Sequence, residues 1–425
     1  MFPLNFTLSL LYTCNSRCIT CNIWMKNVKN FSVEEYDATF KTVGKAPYWF
    51  TLSGGEPFLR ADIVDICKVI YKDCKPGIIN IPTNASLVDF VPQAIEEICK
   101  SCPETQIAIN ISLDAVGPRH DQVRGFPGNF EKAIRTYRSL RELDCKNLTV
   151  GIHTVISKFN LEDLPELADF SREVRPDSYI TEIAEERMEL DTIGSPITPS
   201  ISEYSQALDY LIGKMNEMNF QKVGEFARAF RLKYYDLVKQ TLISKAQVTP
   251  CYAGWASCQI SPDGDVWPCC IRSDPLGNLR KEEYDFPKIW FNKEIKKVRR
   301  SIRNKECYCT LANVSYTNML LSPRALLKVA RKLSSSATGR RSEIIPNPKE
   351  TLNPSLNISR TVEFLTICRK ELLKGKKFMS GEIIKVDSRI KCLCGKRICV
   401  QKGYPLPTCE QCGGKDGWLL ELVLD

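Results

Sequence analysis

The feature that most constrains this chain is a regular alternation between two periods over residues 1–185. Apolar, β-rich runs occur at 4–12, 48–52, 78–82, 107–113, 148–156 and 178–184. Helical patterns fill the spaces between them. The first opens with a capping box formed by Ser32 and Glu35, and four more cover 63–71, 91–100, 130–143 and 161–174. Strict alternation of strand and helix implies right-handed βαβ units around a parallel sheet. Six units are too few for a closed eight-stranded barrel. The expected fold is therefore α/β, with a partial, TIM-like (β/α)6 barrel in residues 1–200.

The remaining chain divides by composition. Residues 201–247 read as a helical connection. Residues 248–333 form a small, turn-rich and cysteine-rich region that ends in a helix, with Ser322 as N-cap and Pro323 at its first position. Arg324, Lys328 and Arg331 mark its basic face, and Leu326, Ala330 and Leu333 its apolar face. Residues 334–355, rich in Ser, Pro and Asn, read as a linker. Residues 356–425 read as a short helix followed by a second cysteine module. No apolar run approaches the length of a membrane span. The apolar N-terminus lacks a basic start and a small-residue cleavage site, so a cytoplasmic protein is expected. The formal charge of +9 suits an anionic ligand without requiring one.

The 20 cysteines are clustered, which in a cytosolic chain points to metal sites and not to disulfides. Cys14, Cys18 and Cys21 form a C-x3-C-x2-C loop at the C-terminal end of the first strand. In α/β barrels that end carries the chemistry. Three thiolates there can hold three irons of a [4Fe–4S] cluster and leave the fourth open, whereas structural zinc takes four protein ligands. Other polar motifs end the next strands on the same rim: Ser53-Gly54-Gly55-Glu56-Pro57, Thr83-Asn84-Ala85, and Ser112-Leu113-Asp114 followed by Arg124-Gly125. Glycines let a ligand approach the backbone. Carboxylates and hydroxyls suit ribose hydroxyls, and an arginine suits a carboxylate.

In this order, the motifs resemble the core domain of radical S-adenosylmethionine (radical SAM) enzymes. Ala85 stands where many relatives have glycine, and Thr20 where an aromatic residue often precedes the last cysteine. The resemblance implies a [4Fe–4S] cluster on Cys14, Cys18 and Cys21, with S-adenosylmethionine on its open iron. Gly54, Gly55 and Glu56 are expected around the cofactor's amino group. Ser112 and Asp114 are expected at the ribose, Thr83 and Asn84 nearby, and Arg124 as a further contact. Reductive cleavage would give a 5′-deoxyadenosyl radical that abstracts hydrogen from a peptide or small-metabolite substrate. An external one-electron reductant of the flavodoxin or ferredoxin type would feed it.

The second cysteine region holds Cys251, Cys258, Cys269, Cys270, Cys307 and Cys309. Pro262-Asp263-Gly264 is a hairpin signal that would bring Cys258 and Cys269 together. The region resembles the SPASM or shorter twitch extension of radical SAM enzymes. That resemblance implies one auxiliary [4Fe–4S] cluster on Cys251, Cys258, Cys269 and one of Cys307 or Cys309. Residues 310–313 supply no further cysteine or histidine for a second. Near the C-terminus, Cys392/Cys394 and Cys409/Cys412 resemble a zinc ribbon, with Cys399 able to replace Cys392. Cys67, Cys74, Cys99, Cys102, Cys145 and Cys368 read as core thiols, His120 as a surface residue and His153 as packed in a strand. The alternative function is an RNA-modifying or nucleic-acid-binding protein that docks through the ribbon and the basic helix; few aromatics interleave with the basic residues, which disfavours it.

Overall fold

The computed structural model describes residues 1–217 and 222–322, and further along the chain the strands at 377–378, 388–392, 397–400 and 418–421. The first part begins with β1 (Asn5–Ser9), α1 (Val33–Val43), β2 (Trp49–Ser53), α2 (Ile63–Cys74), β3 (Ile78–Thr83), α3 (Phe90–Ser101) and β4 (Gln106–Ser112). It continues through α4 (Gly117–Arg124), α5 (Asn129–Glu142), β5 (Leu148–Ile156), α6 (Leu164–Val174) and β6 (Ser178–Ile183). All six expected strands form and pair in parallel, in the order β6-β5-β4-β3-β2-β1. The capping box on α1 is complete, with Ser32 Oγ accepting from the Glu35 backbone and Glu35 Oε2 accepting from the Ser32 backbone at 2.7 Å.

Period-two alternation divides each strand between two environments. Phe6 and Leu8 of β1, Phe50 and Leu52 of β2, and Ile107, Ile109 and Ile111 of β4 enter one continuous core under the helices. Many of the intervening residues, on the inside of the curved sheet, are polar: Asn5, Thr7 and Ser9 on β1, Asn80 on β3, Asn110 and Ser112 on β4, His153 on β5 and Glu182 on β6. Burying isolated polar groups is costly, so such an interior implies internal hydrogen bonds or bound ligands.

The cysteine-rich region does not stand apart from the core. After α7 (Ile201–Glu217) and α8 (Lys222–Ser244) come β7 (Ser257–Ile260), β8 (Asp265–Trp267) and β9 (Gly277–Asn278). Strand β7 runs parallel to β1, with Asn5 opposite Ser257, and extends the sheet to β6-β5-β4-β3-β2-β1-β7-β8-β9. The cysteine-rich region expected over 248–333 is thus joined to the sheet of the core through this pairing. The physical reason is the open edge of β1, whose unpaired backbone groups need a partner. Helices α9 (Phe286–Trp290), α10 (Lys293–Arg303) and α11 (Ala312–Leu320) follow. The polar face of α11 reaches inside the sheet: Asn5 Nδ2 donates to Asn313 Oδ1 at 2.8 Å and Thr317 Oγ1 at 3.0 Å, and Asn313 Nδ2 donates to Thr7 Oγ1 at 2.7 Å.

The chain divides into two compact units, Met1–Leu352 and Asn353–Asp425. In the second, β10 (Lys377–Phe378), β11 (Ser388–Cys392), β12 (Arg397–Val400) and β13 (Trp418–Glu421) form an antiparallel sheet in the order β10-β13-β11-β12. The expected helix after Ser322, the linker, and the side chains of Cys368, Cys392, Cys394, Cys399, Cys409 and Cys412 lie outside the described residues. Among the described residues, no helix is long and apolar enough to cross a membrane.

Candidate active site

The loop bearing Cys14, Cys18 and Cys21 leaves β1 at the C-terminal end of the sheet and is fastened on several sides. Arg17 N donates to Arg124 O at 2.9 Å and Ile19 N to Val123 O at 3.1 Å, which ties the loop to the end of α4. Gly125 follows at φ +55, and a Cβ there would lie 2.2 Å from Arg17 O, so the approach requires glycine. On another side, Asn84 Nδ2 donates to Asn15 Oδ1 at 2.7 Å and Ser16 Oγ at 2.9 Å, and Asn15 Nδ2 donates to Ser86 Oγ at 2.8 Å.

The Gly54-Gly55-Glu56 segment packs backbone to backbone against the start of the same loop. Gly55 N donates to Leu11 O at 2.8 Å and Glu56 N to Thr13 O at 3.1 Å. A Cβ on Gly54 would lie 2.2 Å from Leu11 O and one on Gly55 2.1 Å from Thr13 O. Glu56 is buried, and its carboxylate accepts from Thr83 Oγ1 at 2.7 Å, Asn84 N at 2.7 Å and Phe58 N at 3.1 Å. Its side chain therefore joins the second and third motifs. Burial raises its pKa, against the lowering effect of these hydrogen bonds.

Asp114 and Arg124 form a buried pair, with Arg124 Nε 2.8 Å from Asp114 Oδ2, and Val155 N donates to Asp114 Oδ1 at 2.8 Å. Arg124 Nη1 lies 3.8 Å from Cys18 Sγ. Its Nη2 is shut off from solvent without a hydrogen-bond partner. A free guanidinium donor beside the Cys14 and Cys18 thiols fits a cluster carrying an anionic ligand. Burial raises the thiols, Cys14 to about 11 and Cys21 to about 12, and Cys18 in the same direction. Iron reverses this, because it binds the thiolate. Among the described residues, no three His, Cys, Asp or Glu side chains converge closely enough to hold a single metal ion.

His120 is corrected from a surface residue to a fully buried one. Its Nδ1 accepts from Asp114 N at 3.2 Å, and Nε2 lies 3.1 Å from Asn129 Oδ1. Burial, and next the nearby Arg124, lowers its pKa to about 4. Cys67, Cys74, Cys99 and Cys102 are buried as expected, and Cys145 is half-buried.

The second cysteine group assembles differently from the expected set. Cys251, Cys269, Cys307 and Cys309 line one pocket together with Ile271 and Ile302. Burial pushes all four thiols up, Cys269 to about 12, and Cys251 and Cys269 each raise the Cys309 thiol further. Both Cys307 and Cys309 belong to this lining, whereas Cys258 does not. The Pro262-Asp263-Gly264 hairpin forms, with Ser261 N donating to Asp265 O at 2.9 Å, but period two on β7 separates the cysteines. Gln259 turns to the inside, where its Nε2 donates to Ser9 Oγ at 2.8 Å, and Cys258 joins Phe6 and Ile260 in the main core. Cys270 is buried beside Cys269 and senses Arg187 and Glu189.

Sequence reasoning missed the segment after β6. Glu185 Oε1 accepts from Thr310 N at 2.7 Å, next to Cys309, and Glu189 Oε1 accepts from Ser9 Oγ at 2.7 Å. Inside the sheet, His153 Nε2 lies 3.6 Å from Glu182 Oε1, and Arg187 Nη2 lies 3.9 Å from Glu182 Oε2. Glu185 Oε2 and Arg187 Nε are buried without hydrogen-bond partners. The available signal was Glu182, Glu185, Arg187 and Glu189 at the end of a strand on the active rim.

Residues 8–171 match the Radical SAM superfamily, and residues 251–310 match SPASM, an iron–sulfur cluster-binding domain. The chain is 25% identical over 308 residues to an AdoMet-dependent heme synthase of Methanosarcina barkeri, covering 69% of this chain and 82% of that protein. It is 22% identical over 289 residues to the antilisterial bacteriocin subtilosin biosynthesis protein AlbA of Bacillus subtilis, covering 67% of this chain and 59% of that one. The crystal structure of Streptococcus suis SuiB bound to S-adenosylmethionine aligns with a TM-score of 0.54 at 17% identity, over 70% of this chain and 68% of that one. That last likeness is one of fold.

Proposed function

Because this chain is a radical SAM superfamily enzyme with a SPASM iron–sulfur cluster-binding domain, we propose that it abstracts hydrogen from a peptide or small metabolite. Cys14, Cys18 and Cys21 would hold a [4Fe–4S] cluster, which together with S-adenosylmethionine would supply the electron and the 5′-deoxyadenosyl radical. The chain's share is orientation and exclusion of water. Glu56 and Asn84 hold the cysteine loop to the second and third strands, and the Gly54–Gly55 backbone walls the site. Asp114 and Ser112 are the ribose contacts of this reading, with Thr83 nearby, and Arg124 offers its free Nη2 to an anionic group.

The observation that carries the proposal is the convergence of four sequence motifs on one rim, hydrogen-bonded to one another through Glu56, Asn84 and Arg124. We assign one auxiliary [4Fe–4S] cluster to Cys251, Cys269, Cys307 and Cys309. Substrate would lie between the two cysteine sites, where Glu182, Glu185 and Arg187 present charge. Relatives whose names specify synthesis of heme or of a bacteriocin support a peptide or small-molecule substrate; nothing in the comparisons favours the nucleic-acid reading. Zinc on Cys392, Cys394, Cys409 and Cys412, a cytoplasmic location and an external one-electron donor complete the proposal.

The test is anaerobic reconstitution of the full chain. Under dithionite it should convert S-adenosylmethionine to 5′-deoxyadenosine. Replacement of Cys14, Cys18 and Cys21 together by Ala should abolish this and leave about four irons per chain. Cleavage by the triple variant would overturn the assignment.

A further inference from the structure

Helix α10 combines two faces of different chemistry. Its inner face carries Ile295 and Ile302, both buried, and Ile302 lines the pocket that holds Cys251, Cys269, Cys307 and Cys309. Its outer face carries Lys293, Lys296, Arg300 and Arg303, all exposed and spaced so that they share one side of the helix. None of these four forms a salt bridge among the described residues; the ion pair that α10 does make joins Lys297 to Glu294.

Helix stability accounts for only part of this pattern: Arg300 and Arg303 in the last turn suit the helix dipole. Like charges three and four residues apart repel. Lys293 at the first helical position also opposes the helix dipole, which favours anions there. The stripe continues past the helix end in Lys305 and leads within three residues to half-buried Cys307 and exposed Tyr308. Arg272 is held at the same edge by a hydrogen bond from its Nη1 to Ser301 Oγ. A cationic surface is thus separated from the four-cysteine pocket by the thickness of a single helix.

We infer that the outer face of α10, with Lys293, Lys296, Arg300 and Arg303, is the docking surface for an acidic one-electron carrier protein that delivers its electron through the Cys307 edge of the four-cysteine site. The inference rests on the assignment of an auxiliary cluster to that pocket. The step balances simply: one electron leaves the reduced carrier, which is oxidised by one unit, and enters the cluster, which is reduced by one. No bond forms, and no proton is required from α10. The charge stripe fits a transient partner, because complementary charge raises the encounter rate and fixes orientation without a large apolar interface. Nucleic acid and an anionic membrane would meet the same charge, but neither accounts for its position against a redox pocket.

The test uses the full chain with its iron loaded, and flavodoxin as the carrier. Binding is measured by calorimetry at rising ionic strength, independently of turnover. The variant Lys293→Glu/Lys296→Glu/Arg300→Glu should weaken flavodoxin binding on the order of ten-fold at low salt and flatten its salt dependence. A double reversal on a distant helix, Arg135→Glu/Arg138→Glu on α5, should leave binding unchanged. S-adenosylmethionine cleavage driven by dithionite should be the same in all three proteins. Equal affinity in the α10 variant and the parent would overturn the inference. So would a result in which the variant loses binding only to a single-stranded oligonucleotide or to phosphatidylserine vesicles. Failure of dithionite-driven cleavage in the parent would instead strike the proposed function, so the two failures are distinguishable.

Discussion

The two cysteine sites are built on opposite principles. Cys14, Cys18 and Cys21 lie within eight consecutive residues, and backbone and side-chain hydrogen bonds from neighbouring strand ends hold their loop. Cys251, Cys269, Cys307 and Cys309 are spread over 59 residues and are brought together by packing of α10, α11 and the segments before β7 and after β8 around a small apolar cluster of Ala253, Cys270, Ile302, Leu311 and Val314. A local site can be rigid before it is filled. A dispersed site depends on the fold around it, and its members cannot be chosen by spacing alone.

The sharpest way to break this comparison is to exchange one member of the dispersed site for its rejected neighbour. Cys269→Ala should lose the auxiliary iron, about half of the iron bound by these two sites. Cys258→Ala should keep it and show only the core-packing cost, about 1 kcal/mol in denaturant unfolding. Iron analysis beside cofactor cleavage checks both. If Cys258→Ala were the variant that lost iron, the ligand set would return to the one expected from sequence.

How much was legible follows from this contrast. The six parallel strands and the cysteine loop were readable because their signals are local: period two, a capping box, and motifs at strand ends. The place of β7 was not, because nothing in Ser257–Ile260 says which strand edge it will cover. Cys258 falls outside the four-cysteine pocket for the same reason. A hairpin signal fixes that two strands pair, and the face on which each side chain emerges depends on register. His120 was read as a surface residue because it lies next to Arg119 and Asp121; the partners found in the fold come from α5 and the turn after β4.

His120 provides a pH test of the first site. Its pKa is lowered from 6.5 to about 4 in the folded chain. Between those values the unfolded chain binds a proton that the native state does not, so stability rises with pH across the window. It should be full above pH 6.5 and fall as the pH drops toward 4, by at most about 3 kcal/mol. Denaturant unfolding of iron-free protein at pH 7.5 and 5 measures this without acid loss of the cluster. His120→Gln should flatten the difference; an unchanged slope would mean that His120 is not the titrating group. The four-cysteine pocket has no histidine in its lining, so this acid sensitivity distinguishes the first site.

Glu56→Gln tests the hydrogen-bonded construction of the first site directly. The amide keeps one acceptor oxygen where the carboxylate served Thr83, Asn84 and Phe58 with two. One donor should then be left unsatisfied or opposed by the new NH2 group, at a cost of about 1–3 kcal/mol. The expected outcome is faster iron loss to a chelator from the Cys14/Cys18/Cys21 site, with the auxiliary iron retained. Equal loss from both sites would show that the loop and the pocket are not independently held.

The smallest effect is expected from ending the chain at Leu352. The second compact unit begins at Asn353, while every hydrogen bond described on the active rim comes from residues before it. The residues that line the four-cysteine pocket also lie before it. Removing Asn353–Asp425 should therefore leave both iron sites and dithionite-driven cofactor cleavage unchanged, and remove any zinc held by the C-terminal cysteines. If such a chain lost the Cys14/Cys18/Cys21 cluster, the first site would not be locally built, and the contrast drawn between the two cysteine groups would fail.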